Sequence, residues 1–501
     1  MAAHQASCLS TRGNAILGAD GQELKLIGAN WFGFNIGDMV LMGDPSIGFA
    51  HDFATIVYRW KLLGFNAIRL PFSMHEIYFE TPKPIISTCT LPTFNQIAYS
   101  VTDPLDNVPS NLGIPAPGFW PSHGDYTCNA YIPGDSVINR FVWVVQYLAN
   151  NGFYVIIDCH SEDPTPEVNA NVFVNFWVQI VEQISEDKVA SERLIVDILN
   201  EPDEREWGWD ITGPLFLRVM DAVYTVNPKV LFLVEGTGQQ ELGANWGDGF
   251  QTKNVTAGSP ADPNPFFQSL MSKPYLNQVA LSPHVYGPSV TFAAADYSGD
   301  SLFNRLSNSF GYLMKEGYTH NGITKRFPIV IGETGSFFSD PRELAFMESF
   351  KLYLLNTGEA NDGRHNAIPH MLYWCWNSDS FDTGGLVDST EYNIIWKKVR
   401  WLNAIGLTPW YKSASAAKRP PPPPYGSSYD VKLPHNGRTP SAPPNSPPPS
   451  QLSNNGQLIA FPPSTYGRKT PNGGARNAET CRPFVLLLAA VAALLLSALL
   501  L

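Results

Sequence analysis

The chain has 501 residues, 44% hydrophobic, 12% aromatic and only 16% charged, ample for one large core and long enough for a single α/β barrel with appendages. A formal charge of −12 gives no electrostatic footprint for nucleic acid, and six cysteines do not make a disulfide scaffold. Thirteen Trp, 20 Tyr and 29 Phe exceed what a core uses, a surplus that suits stacking on the flat apolar faces of sugars.

Short apolar runs alternate with amphipathic stretches from about residue 10 to 410. "ELKLIGANWFGF" (23–34) opens as a strand, "FATIVYRWKLLG" (53–64) has helical spacing and a terminal Gly, and "FNAIRLPF" (65–72) is a strand again. A helix over 136–152 precedes the strand "FYVIIDCH" (153–160), and a helix over 172–184 precedes "RLIVDILNE" (193–201). Helical "PLFLRVMDAVYTV" (214–226), the strands "VLFLVEG" (230–236) and "QVALSPHVYG" (278–287), and a helix over 301–317 follow. "FPIVIGETG" (327–335) is a strand, 343–358 a helix, "HMLYWCWN" (370–377) a strand and 394–406 a closing helix. Eight strands alternating with helices predict a (β/α)8 TIM barrel over residues 10–410.

One connection, Ser73 to Pro133, is far longer than usual and leaves the carboxyl end of a strand, the face where barrel chemistry sits. Cys89 and Cys128 both lie in it and could staple it. Cys159 and Cys375 are expected as buried thiols facing away from the strand-end residues beside them. Residues 411–471 hold 15 of the 42 prolines, which predicts a disordered, extended spacer rather than a core. Residues 472–501 end in "FVLLLAAVAALLLSALLL", 18 residues from Phe484 to Leu501, preceded by small residues Asn472–Ala475. That order fits a glycolipid-anchor signal, with a tail anchor as the alternative, so a membrane-attached cell-surface or extracellular protein is expected. "MAAHQASCLSTRGN" contains no apolar run of the secretion-signal kind, and Asn254-Val255-Thr256 is the only N-glycosylation sequon.

The strand ends carry the chemistry. Arg69, His160, Asn200 with Glu201, His284 with Tyr286, Glu333 and Trp376 bring titratable, amide or aromatic groups from six strands to one rim. Glu201 and Glu333 lie about 130 residues apart, on the fourth and seventh strands, and form a candidate acid/base and nucleophile pair. Arg69 and Tyr286 would stabilise the Glu333 anion, Asn200 would bond a sugar 2-hydroxyl and Trp376 would floor the sugar ring. Glu235 also ends a strand but adjoins the fourth, and reads as structural or substrate-contacting. Asp158 and Asp197 fall short of their strand ends and read as buried hydrogen-bond residues. No HExxH, cysteine cluster, G-x-S-x-G elbow or phosphate-cradling glycine loop is present, so no metal and no cofactor is expected.

This pattern resembles the family 5 glycoside hydrolases over roughly residues 12–408, with Arg69, His160, Asn200, Glu201, His284, Tyr286, Glu333 and Trp376 in order. The resemblance implies Glu201 as acid/base and Glu333 as nucleophile. "GANWFGFN", "RLPF", "NEP", "ANWGDGF" and "WCWNSDSFDTGGLVD" look most like endo-β-1,4-glucanases, which implies Trp31 and Trp246 as sugar platforms, with Trp207 and Trp209 as further ones. Thr334, where the family often carries an aromatic, and the 73–133 insertion depart from the pattern and bear on the substrate rather than the reaction. The expectation is a monomeric retaining endoglucanase acting on cellulose or a related β-glucan. Mannan, mixed-linkage glucan or a glycolipid are alternative substrates, and a non-catalytic wall-binding barrel is the alternative of another class.

Overall fold

A computed structural model describes residues 8–36, 51–121, 126–160, 166–238, 246–291 and 297–416. The chain divides into Met1–Phe461 and a second unit, Pro462–Leu501, which lies outside the described residues together with the expected spacer from residue 417 onward. No helix among the described residues is long and apolar enough to cross a membrane.

Eight strands make the central sheet: β1 (Ile27–Asn30), β2 (Ala67–Phe72), β3 (Tyr154–Cys159), β4 (Leu194–Asp197), β5 (Leu231–Val234), β6 (Val279–Leu281), β7 (Val330–Ile331) and β8 (His370–Tyr373). All pair in parallel, in the order β6-β5-β4-β3-β2-β1-β8-β7. Two isolated parallel bridges, Leu281 to Ile329 and His284 to Glu333, join β6 to β7 and close the ring. The predicted (β/α)8 TIM barrel is the fold.

Strand alternation sorts the core into two layers. Ala67, Ile156, Ile195, Leu233, Val330 and Leu372 pack inside the ring with Leu9, Ile16 and Leu26. Leu9 and Leu26 flank, and Ile16 belongs to, an antiparallel sheet (Ser10–Arg12, Ala15–Leu17, Glu23–Leu24) that plugs the amino-terminal end of the barrel. Ile68, Leu70, Phe72, Val155, Ile157 and Val196 face outward into the layer shared with the helices. Helix Phe53–Leu63 is typical: Asp52 caps its first turn by accepting from Thr55 N, and Gly64 ends it at φ 98°. A Cβ at Gly64 would lie 2.2 Å from Thr408 O, so only glycine fits both the conformation and the space.

Several elements differ from expectation. Strands four, six and seven are two to four residues long, not nine or ten; Pro283 follows β6 and Pro328 precedes β7, each without an N–H for the ladder. Helix Trp209–Val226 starts before the predicted Pro214, which it contains, and the helix over 301–317 is interrupted by a π turn at Ser307–Gly311. The 73–133 connection is not irregular throughout. It holds helices Met74–Phe79 and Phe94–Ser100 and a two-stranded ladder, Ser87–Thr88 with Thr127–Cys128, and the Cys89–Cys128 disulfide fastens it.

Candidate active site

Arg69, on the inner face of β2, organises the carboxyl end of the barrel. It is fully buried. Its Nε donates to Asp197 Oδ2 at 2.9 Å, Nη1 to Asn30 Oδ1 at 3.0 Å and to Glu333 Oε1. Its Nη2 donates to Asn200 Oδ1 at 3.0 Å and Glu235 Oε1 at 3.1 Å, and lies 3.1 Å from Asp158 Oδ2. Burial opposes its charge, but Asp158, Asp197, Glu333 and Glu235 together hold its pKa well above the ordinary value. A planar fork of five donors can serve acceptors from several strands at once; an ammonium cannot.

Glu333 follows β7 with both oxygens engaged: Arg69 donates to Oε1 and Tyr286 Oη to Oε2 at 2.7 Å. Burial, then Glu333, pushes the Tyr286 phenol well above its ordinary pKa, so it stays a donor. Glu201 leaves β4 at φ 37°, a left-handed conformation rare for a non-glycine residue. Its backbone N–H donates to Glu235 Oε2 at 2.7 Å, and its Oε1 lies 2.8 Å from His284 Nδ1. Acceptor atoms of Glu201 and Glu333 lie within 4.8 Å of each other, both carboxylates facing one space at the barrel mouth. His284 Nδ1 is also 3.7 Å from Glu333 Oε2 and its Nε2 is 3.2 Å from Glu235 Oε1. Burial disfavours its charge, yet Glu235 and Glu333 raise its pKa well above the usual value.

Asn200 spends its carbonyl oxygen on Arg69 and leaves its buried Nδ2 without a partner among the described residues, a donor free for a ligand hydroxyl. His160 bonds Asp158 Oδ2 through Nδ1 at 2.7 Å and stacks on Trp374, centroids 5.7 Å apart at 12°. Burial works against its charge, but Asp158 raises its pKa to about 9. Asp158 and Asp197 are buried hydrogen-bonding residues, and Glu235, read as structural or substrate-contacting, is buried and accepts from the backbone N–H of Glu201.

The aromatic expectations need correcting. Trp376 is 1% exposed, edge-on to Trp60 at 5.7 Å with the Arg59 guanidinium 5.5 Å over its ring, so it cannot floor a sugar. Alternation along β8 carries Leu372 and then Trp374 inward; the chain leaves the ladder after Tyr373, and the two-residue rule fails beyond it. Trp374 takes the place by the site, clustered with Phe32, Tyr286 and Cys375. Cys375 is a buried thiol on the side away from Trp376, as expected, and because Trp376 turns outward it is Cys375 that lies in the Trp374 cluster; Cys159 is buried and points outward. Trp31 is also a packing residue, stacked on Phe53 at 5.6 Å and edge-on to Trp60 at 4.8 Å. Trp207 and Trp209 are buried, Trp209 against Phe266 and Gly249 O. Trp246 alone of the predicted platforms is partly exposed, next to Gly247, where a Cβ would come 3.1 Å from His284 Cγ.

Two acids were not singled out from sequence. Asp203 accepts from Gly238 N at 2.6 Å, and burial, with Glu201 adding to it, raises its pKa to about 7. Asp382, bonded by Ser380 Oγ at 2.6 Å, is raised to about 6 by burial and by Glu333. The "WNSDSFDTGG" motif was the available signal for Asp382; nothing in the motif tells which of its acids turns inward. Among the described residues two triads, Asp197/Glu235/His284 and Glu201/His284/Glu333, bring ligating atoms within 4.8 Å. Arg69 already donates to Asp197, Glu235 and Glu333, so a guanidinium fills the cationic position a metal would take.

Two carboxyl groups this close, one held by a cation and a phenol and the other by an imidazole, are the equipment that acid-assisted cleavage of a sugar acetal calls for. A family model described as Cellulase (glycosyl hydrolase family 5) matches residues 114–380, more than half of the chain. The chain belongs to glycosyl hydrolase family 5. It is 26% identical over 428 residues to endoglucanase G of Acetivibrio thermocellus, covering 76% of this chain and 67% of that one. It is 24% identical to the major extracellular endoglucanase of Xanthomonas campestris, covering 74% and 66%. A solved endocellulase from the archaeon Pyrococcus horikoshii superposes with a TM-score of 0.55 at 21% identity, covering 80% of this chain and 98% of that one.

Proposed function

We propose that the protein is a retaining endo-β-1,4-glucanase that cleaves cellulose or a related β-glucan by double displacement. The observation that carries this is the Glu201–Glu333 approach within 4.8 Å: retaining pairs stand ~5–5.5 Å apart and inverting pairs ~6.5–9.5 Å. In the first step a Glu333 oxygen bonds to the anomeric carbon, the bond to the leaving glycosyl oxygen breaks, and Glu201 gives that oxygen its proton. In the second, Glu201 takes a proton from water, the water oxygen bonds to the anomeric carbon, and Glu333 leaves. Tyr286 and Arg69 orient Glu333 for both steps, His284 holds Glu201, and the free Nδ2 of Asn200 serves the 2-hydroxyl.

The choice of substrate is supported by relatives that are endoglucanases and by the Pyrococcus horikoshii endocellulase having been solved with cellotetraose. Glu333→Gln should abolish hydrolysis of carboxymethylcellulose, and Glu201→Ala should regain turnover with azide, which replaces the missing base. Equal or greater release of sugar from β-mannan or lichenan would overturn the choice of cellulose, and full activity in Glu333→Gln would overturn the mechanism. The proline-rich tract and apolar C-terminus support display at a cell surface, which release of the protein by a phospholipase specific for glycolipid anchors would test.

A further inference from the structure

The amino-terminal face of the barrel, opposite the carboxylates, holds a cavity of about 540 Å³. Thr11 and Arg12 reach it from the plugging sheet, Asn277 from the turn before β6, and Thr324, Lys325 and Arg326 from the hairpin before β7. No carboxylate lines it, although the chain carries 45 acidic residues against 33 Lys and Arg. A cluster of three cations on an acidic protein runs against the overall charge and needs a local reason.

Lys325 sharpens the question. Its side chain is 7% exposed, and Nζ donates to Thr11 Oγ1 at 2.8 Å and Asn277 Oδ1 at 3.0 Å, both neutral. The Phe327 ring centroid lies 5.8 Å away. Lys398, the other buried lysine among the described residues, instead fills all three N–H donors with the carbonyls of Thr383, Gly384 and Gly385 at 2.8–2.9 Å. Lys325 has only two acceptors among the described residues, and no acid offsets the cost of burying its charge. Burial accordingly lowers its pKa to about 8. Arg12 and Arg326 are exposed at the rim with no ion-pair partner among the described residues.

We propose that this cavity is a binding site for a tetrahedral oxyanion, phosphate or sulfate, free or as the ester of a small sugar, with Lys325 beneath the anion and Arg12 and Arg326 over it. Guanidinium forks match oxyanion geometry, and the anion gives the buried ammonium both a third acceptor and a counter-charge. The volume falls within the ~300–1,000 Å³ of small-molecule sites, leaving room for a sugar behind the anionic group.

Isothermal titration of the full chain with inorganic phosphate, inorganic sulfate and glucose 6-phosphate, at ionic strength fixed with sodium chloride, tests this. One saturable site is expected, weakened at least about tenfold in Arg12→Ala/Arg326→Ala by loss of charge-assisted hydrogen bonds. Tighter binding of glucose 6-phosphate than of phosphate identifies an ester ligand; equal binding identifies the free ion. Lys325→Met should weaken binding comparably; if it fails to fold, the exposed arginine pair still decides. Hydrolysis of a soluble glucan should be unchanged in the arginine double variant, since the cavity lies on the opposite face. No saturable binding of any of the three ligands, or undiminished binding in the arginine double variant, overturns the proposal.

Discussion

Arg69 meets Asp158, Asp197, Glu235 and Glu333 inside the barrel, so its shape matters as much as its charge. Arg69→Lys keeps the charge but cannot reach acceptors on four strands. Unpaired buried carboxylates should cost about 3–5 kcal/mol of stability, and turnover should fall about 100-fold or more. Denaturant melts and initial rates would check this; near-normal values for both would contradict the hub. His160 makes a pH-dependent contribution. Burial disfavours its charged form, but Asp158 raises its folded pKa to about 9, above the ordinary 6.5, so the folded state holds the proton more tightly than the unfolded chain. The resulting stabilisation, roughly 3 kcal/mol, is complete below about pH 6.5 and drains away as the pH rises through about 9. His284, raised well above its ordinary value, acts in the same direction. His160→Gln should therefore shrink the fall in urea midpoint between about pH 6 and about pH 9; an unchanged fall would count against the assignment.

At the scale of elements, one cation and one disulfide fasten two long connections. Lys398 Nζ ties the carbonyls of residues 383–385 after β8, just beyond Asp382. Lys398→Met takes the donor from the buried Thr383 and Gly385 carbonyls, while Gly384 O keeps Thr383 Oγ1, and should cost about 2–3 kcal/mol, with a drop in kcat as the loop loosens. Thermal melts with initial rates test both parts. The Cys89–Cys128 bridge spans 39 residues of the insertion, and Cys89→Ala/Cys128→Ala should lose roughly 3–4 kcal/mol by freeing the unfolded chain. Proteolysis near residues 80–130 should quicken in that variant; equal cleavage would show that the ladder and helices suffice. The eight strands were legible as short apolar runs between helical stretches, and so were the residues ending them, from Arg69 to Glu333. Trp376 was not, because alternation applies only while the ladder lasts and it lies beyond Tyr373, the last paired residue of β8. Trp31 keeps the outward side of Ala29, so its packing was legible there and only the family resemblance suggested a platform. The contacts of Arg69 were equally hidden: its partners lie up to 264 residues away, and no local pattern encodes which acids share one guanidinium.

Taken as a whole, the barrel contains every residue of the candidate site between Asn30 and Asp382, so a chain ending at Ala416 should keep the kcat/KM of the full protein on a soluble glucan. A large loss would show that the remainder contributes to catalysis. The ring is unevenly fastened. β2 and β3 share six register pairs, whereas β6 and β7 meet through two bridges, one of them His284 to Glu333. On heating, hydrolysis should fail at a lower temperature than the far-ultraviolet helix signal; coincident midpoints would refute an early opening there. The seam of the cylinder and its cutting edge are one line. A saccharide lying across both sides would act as a clasp, so the enzyme at work on its polymer should withstand more heat than the enzyme at rest.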